Sequence, residues 1–200
     1  MATPASAPAM FKLRALDPEY LAACLRLPSQ YLVLPDPPPP PSELLDTLAG
    51  HELLTPCVRL FAYALPEREA VWWACMCCIH TAPQAWPAAE QAALDAAERW
   101  VRRPEEATRR DAARAAAARV PGQPGFWTAH AAAWAVQKAD PAAAAPCKPS
   151  ACGRAVEAAV TFAALRDGTR RRKDHLARFI TSGRDIAAGG AGRLPREVGE

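Results

Sequence analysis

The sequence has no run approaching the roughly 20 apolar residues that span a bilayer, which excludes a helical membrane protein. It has no glycine triplet period and no sustained heptad, which excludes collagen and coiled-coil fibre. No catalytic signature is recognisable. The one glycine cluster, Gly189-Gly190-Ala191-Gly192, follows no strand and so is no phosphate loop. Met1 to Met10 is Ala, Pro and Ser without a positive n-region or an apolar h-region, so it is no secretory signal and reads as a flexible leader. Large apolar side chains are also scarce. Hydrophobic residues make up 50% of the chain, but alanine alone is about a quarter of all residues. The core must be built from a limited set of Leu, Val, Trp and Phe.

What is present suits one compact domain. A chain of 200 residues buries roughly 70% of its unfolded surface when folded as a single unit. The formal net charge of +3 is too mild to mark a nucleic-acid binder. Its distribution says more: from Arg166 onward nine Lys/Arg face five Asp/Glu, a net of +4, leaving −1 for everything before. An electrostatic partner would meet the C-terminal part. Seven cysteines without an export signal point to free thiols in a reducing compartment, and the cytoplasm is the expected location.

Proline and glycine punctuate the chain at short intervals, and the segments between them read as helices. Asp17-Pro18 is an N-cap followed by proline at N1, opening a helix to Leu25. Within Leu27 to Leu34, Tyr31-Leu32-Val33-Leu34 could be extended. Pro35 to Pro41 is a stiff polyproline stretch, a spacer or a ligand for an aromatic groove. Ser42 is expected to cap a helix to Gly50, and Thr55-Pro56 to open another. Pro66 begins the most distinctive segment, Glu67 to Ile79, whose apolar residues surround the helix; this predicts a central helix. Further helices are expected over 87–101, 104–120, 126–137, 150–165 and 169–182, with a turn at 121–125, an Ala/Pro loop at 140–149 and fraying from Gly183. The fold class is therefore all-α, a compact domain of eight or nine short helices over residues 17–185, with a leader (1–16) and a flexible tail (186–200).

The run Arg68-Glu69-Ala70-Val71-Trp72-Trp73-Ala74-Cys75-Met76-Cys77, with Glu98-Arg99-Trp100-Val101 and Gly153-Arg154-Ala155-Val156, resembles a bacterial, alanine-rich helical family of unknown function encoded near type VI secretion genes. The resemblance covers roughly residues 17 to 185. It implies an accessory or adaptor role beside a secretion machine and carries no active site or cofactor with it.

Three constellations invite chemistry. In Cys75-Met76-Cys77-Cys78-Ile79-His80, Cys75 and Cys78 share a helix face while His80 points elsewhere. Zinc would need a second ligand pair, for which Cys147 and Cys152 are available, but the spacing fits no standard finger. Buried free thiols are the plainer reading. A cysteine nucleophile would need a base from His51, His80, His130 or His175, and Cys75 lies too deep in its helix for the dipole to help. Arg170-Arg171-Arg172-Lys173 sits at the start of the last helix, where cations oppose the dipole; it reads as a solvated helix start or a site for an acidic partner. Nucleic acid is disfavoured because no aromatic residues are interleaved. Trp72 and Trp73 point about 100° apart, so both are buried only if the helix is central; otherwise one faces a groove.

The expected function is thus a non-enzymatic module that binds a protein partner through Trp72, Trp73 and Arg170 to Lys173, with no cofactor. The alternative is a metal-binding or thiol enzyme centred on Cys75, Cys78 and His80.

Overall fold

The structure, a computed structural model, describes residues 9–27, 39–118, 122–135 and 149–197. These form nine α-helices and no strand among the described residues: α1 (Pro18–Leu25), α2 (Pro41–Gly50), α3 (Leu54–Ala64), α4 (Glu67–His80), α5 (Ala88–Arg102), α6 (Glu106–Ala117), α7 (Pro124–Trp134), α8 (Ala151–Ala164) and α9 (Arg172–Ala187). The all-α expectation holds. Residues 28–34, Pro35 to Pro38, the loop at 140–148 with Cys147, and residues 1–8 of the leader lie outside the described residues.

Local chemistry sets the helix starts. The Asp17 carboxylate accepts from the amides of Glu19 (3.0 Å) and Tyr20 (3.2 Å), satisfying two of the donors that a helix N-terminus leaves unpaired. Ser150 caps α8 by accepting from Gly153 N at 3.0 Å. In α6 a capping box joins Glu105 and Thr108. Ser42 does not cap α2: the helix begins two residues earlier, with Pro41 in its first turn and Pro40 at the cap. Proline's fixed φ suits that position. α7 likewise starts at Pro124, two residues before the expected Phe126.

The larger difference is at the end of α9, which continues through Gly183 to Ala187 instead of fraying. A Cβ at Gly183 would meet the Phe61 ring at 3.0 Å. Glycine stands there so that α9 can approach α3, not to stop the helix.

α4 is the central helix. Val71, Trp73, Ala74, Cys75, Cys77 and Cys78 are all fully buried, and α3, α5, α7, α8 and α9 pack around it. Alanine makes this geometry possible: Ala129 and Ala132 of α7 and Ala155, Ala159 and Ala163 of α8 are each fully buried, which lets backbones approach closely. Two polar junctions pin the bundle. Glu157 of α8 accepts from Arg59 (2.8 Å) and Tyr63 (3.1 Å) of α3 and from Arg26 (3.3 Å) after α1. Glu90 of α5 takes Arg166 Nη2 at 2.5 Å and Gly125 N at 3.1 Å, joining α5 to α7 and the end of α8. No described helix is long and apolar enough to cross a membrane.

Beyond α9, residues 188–197 turn back along α4 and α9. Gly192 N donates to Asp185 Oδ2 (2.7 Å), Leu194 packs against the core, and Glu197 N donates to His80 O (2.9 Å).

Candidate functional site

The adjacent tryptophans of α4 take different roles. Trp73 is fully buried, with its ring 5.3 Å from that of Phe61 and its Nε1 donating to Phe179 O of α9 at 2.8 Å. Trp72, one residue back and about 100° around the helix, is half-buried at the protein's rim. Its Nε1 donates to Ala191 O at 2.8 Å. It lines a surface cavity of about 350 Å³ with Lys12, Arg68, Glu69, Val101, Arg102 and Ile186. The charged rim is internally paired: Lys12 Nζ lies 3.4 Å from Glu69, Arg68 Nε donates to Val101 O at 2.7 Å, and Arg102 binds Glu98. The lining is therefore mixed, with Trp72, Val101 and Ile186 beside paired charged groups.

The six described thiols are packed away. Cys75 and Cys77 are fully enclosed, and burial drives both thiols well above the ordinary cysteine range. Burial also pushes Cys78 up to about 11, although its sulfur lies 3.3 Å from the Thr128 hydroxyl. Cys152, equally buried, is raised for the same reason. A thiolate, the form that attacks or ligates, is disfavoured at all four.

His80 does not join these sulfurs. Its ring stands edge-on to His175 (centroids 6.1 Å) and to Phe179 (5.9 Å), and its Nδ1 meets the Pro195 carbonyl. Cys75, Cys78 and His80 form no ligand group among the described residues; the atoms that gather within 4.8 Å belong instead to Asp167, His175 and Glu197.

Glu197 is the centre of that gathering. One of its oxygens lies 3.0 Å from His175 Nε2 and 2.9 Å from Arg171 Nη2; the other lies 2.9 Å from Arg178 Nη1 and 3.3 Å from His80 Nε2. Burial works to raise this carboxyl. The hydrogen bond from His175 and the charges of His175, His80 and Arg171 outweigh it, so its pKa falls below the ordinary value. Both oxygens already face guanidinium groups, which leaves little room for a metal ion.

The basic run is divided. Arg171 pairs with Glu197, Arg172 Nη2 donates to Thr55 Oγ1 at 2.8 Å, and Lys173 Nζ reaches Glu52 at 2.9 Å, while Arg170 is exposed. These contacts explain how cations are tolerated at the N-terminus of α9. The run and the Trp72 cavity stand at opposite ends of α9, about 20 Å apart along its axis, so the structure does not unite them in one patch.

Sequence reasoning missed Glu197 entirely, because a lone glutamate after a glycine-rich stretch gives no sign of folding back. It also missed Glu90 and Arg166, 76 residues apart. A second aromatic surface lies on α7, where Trp134 is 44% exposed and stacks on His130 at 4.7 Å. Trp127, seven residues back on the same helix, stacks on Phe162 of α8 at 6.4 Å and tilts against His130 at 5.7 Å.

Searches of curated proteins and of solved structures find no match to this chain. One family model does match, over residues 44–187, from α2 to the last residue of α9. The chain belongs to that family, described as a family of unknown function, DUF6931.

Proposed function

We propose that this protein is a non-enzymatic accessory module that binds a protein partner at the Trp72 cavity. One observation supports the reading above others: of two adjacent tryptophans on the central helix, one is spent on the core and the other is set at the mouth of an amphipathic cavity. Tryptophan is enriched among the residues that carry the binding energy of protein interfaces, where a partner completes its desolvation. The resemblance to a family found near type VI secretion genes suggests a secretion machine as the setting.

The test is site-specific photocrosslinking from position 72 in the native cell, with position 134 as the comparison. A discrete adduct from 72 that is lost on competition with unlabelled protein, but not with Trp72→Ala, supports the reading. Equal adducts from both positions, or none from 72, refutes it. Identification of a secretion component in the adduct tests the setting separately.

A further inference from the structure

Residues 190–197 run as a strap along the groove between α4 and α9. At one end Ala191 O accepts from Trp72 Nε1 (2.8 Å); at the other Glu197 meets His175 and His80. Between them Ser182 Oγ donates to Gly192 O, and Pro195 O faces His80 Nδ1. The strap therefore covers the indole edge on which the proposed docking site depends.

Proton positions at its far end follow from the acceptors. His175 Nδ1 lies 3.0 Å from Ala164 O, a carbonyl that can only accept, so Nδ1 carries a hydrogen. His175 Nε2 lies 3.0 Å from a Glu197 carboxylate oxygen, which when ionised also only accepts. Both nitrogens must donate, and the imidazole is then an imidazolium. The same logic gives His80 a hydrogen on Nδ1, while its buried Nε2 makes no hydrogen bond.

We propose that this strap is a proton-dependent latch, held shut by doubly protonated His175 against the Glu197 carboxylate and, when open, uncovering Trp72. On opening, the Nε2 proton passes to solvent. The neutral Nδ1–H ring then turns a lone pair toward the carboxylate lone pairs. The other charged groups facing His175 are Asp167 at 3.9 Å from the preceding loop, and Arg171 at the N-cap of its own helix and Arg178 within it, both bound to Glu197; His80 faces it from α4. The arginines are about half-exposed, so solvent screens their hold, whereas His175 is fully enclosed. Arginine keeps its charge at any pH a folded protein meets, so the imidazole is the cation in this group that can give up a proton.

The latch stands on the strap's own contacts; only its control of docking rests on the function proposed above. It is tested on the full chain without a partner, by hydrogen exchange of the 190–197 amides corrected for intrinsic rate, and by nitrogen NMR of the imidazoles. Strap protection is expected to fall about ten- to a hundredfold between about pH 5.5 and 8, the factor set by one charge-assisted hydrogen bond, while α4 amides stay protected. Glu197→Gln is expected to give low, nearly pH-independent strap protection with α4 intact. Equal wild-type protection at both pH values overturns the proposal. So does a closed strap over singly protonated His175, or opening of the strap at about pH 5.5 by a chelator, which would make a metal the closing cation. Crosslinking from position 72 can fail while these readouts hold, and the reverse, so the two ideas are judged apart.

Discussion

Glu90 offers the sharpest quantitative test of how this bundle is held. Its side chain is only 3% exposed, and Arg166, its partner, is 13% exposed. One carboxylate oxygen serves both Arg166 and the amide of Gly125 in the first turn of α7, a helix with no side-chain cap of its own. Gly125 allows this approach, since a Cβ there would lie 2.7 Å from Glu90 Cγ. Arg166 also donates to Thr81 O at 3.1 Å and sits 5.8 Å over the Trp86 ring, so it cannot swing out to water without further losses. Glu90→Ala leaves a buried guanidinium without its counter-charge, which costs about 3–5 kcal/mol. For a chain of this length that corresponds to a fall in Tm of roughly 6–20 °C. Glu90→Leu combined with Arg166→Met removes both charges and is expected to recover most of the loss, because apolar replacement of a buried pair is often near neutral. Equilibrium denaturation in urea, followed by helical circular dichroism, measures both variants against the parent chain. A cost below about 1 kcal/mol for Glu90→Ala, or a double variant no better than the single, would refute the reasoning.

Four further outcomes are expected. Trp73→Ala should cost about 3–5 kcal/mol by cavity formation, and Trp72→Ala clearly less, measured by the same denaturation; equal costs would contradict the division of the pair. Cys24, Cys57, Cys75, Cys77, Cys78 and Cys152 are all buried, so these six should react with a thiol reagent only after denaturation, as tracked by mass spectrometry; rapid native labelling of Cys75 or Cys78 would revive the thiol-enzyme reading. Gly153→Ala should destabilise by about 1–3 kcal/mol, since its Cβ would fall 2.3 Å from the Tyr63 ring; a gain from helix propensity alone would show that the ring yields freely. Glu197 has a folded-state pKa below its unfolded one, so while the strap is closed its contribution is present above the ordinary carboxylate range and is lost as pH falls through the lowered value. Glu197→Gln should therefore flatten the acid limb of stability against pH, and an unchanged limb would count against the cluster.

Pattern and punctuation were enough to read the helices. Asp17-Pro18 signalled a start because a carboxylate and a fixed φ act on their nearest neighbours, and Glu67 to Ile79 declared itself central because apolar residues occupy every face. The ends were less legible. Gly183 read as a stop, yet it is a contact glycine whose reason is Phe61 on another helix.

Composition and spacing by themselves determined an all-α domain with α4 at its centre and thiols packed as small apolar groups. These follow from forces acting within a few residues or from bulk burial. Only the tertiary structure decided that Trp72 faces outward while Trp73 does not, that His80 turns to His175 rather than to the cysteines, and that Glu197 folds back onto both. Those outcomes depend on pairs such as Glu90 with Arg166, separated by 76 residues. No local periodicity encodes which distant charge will meet which, because that choice is made when the helices pack.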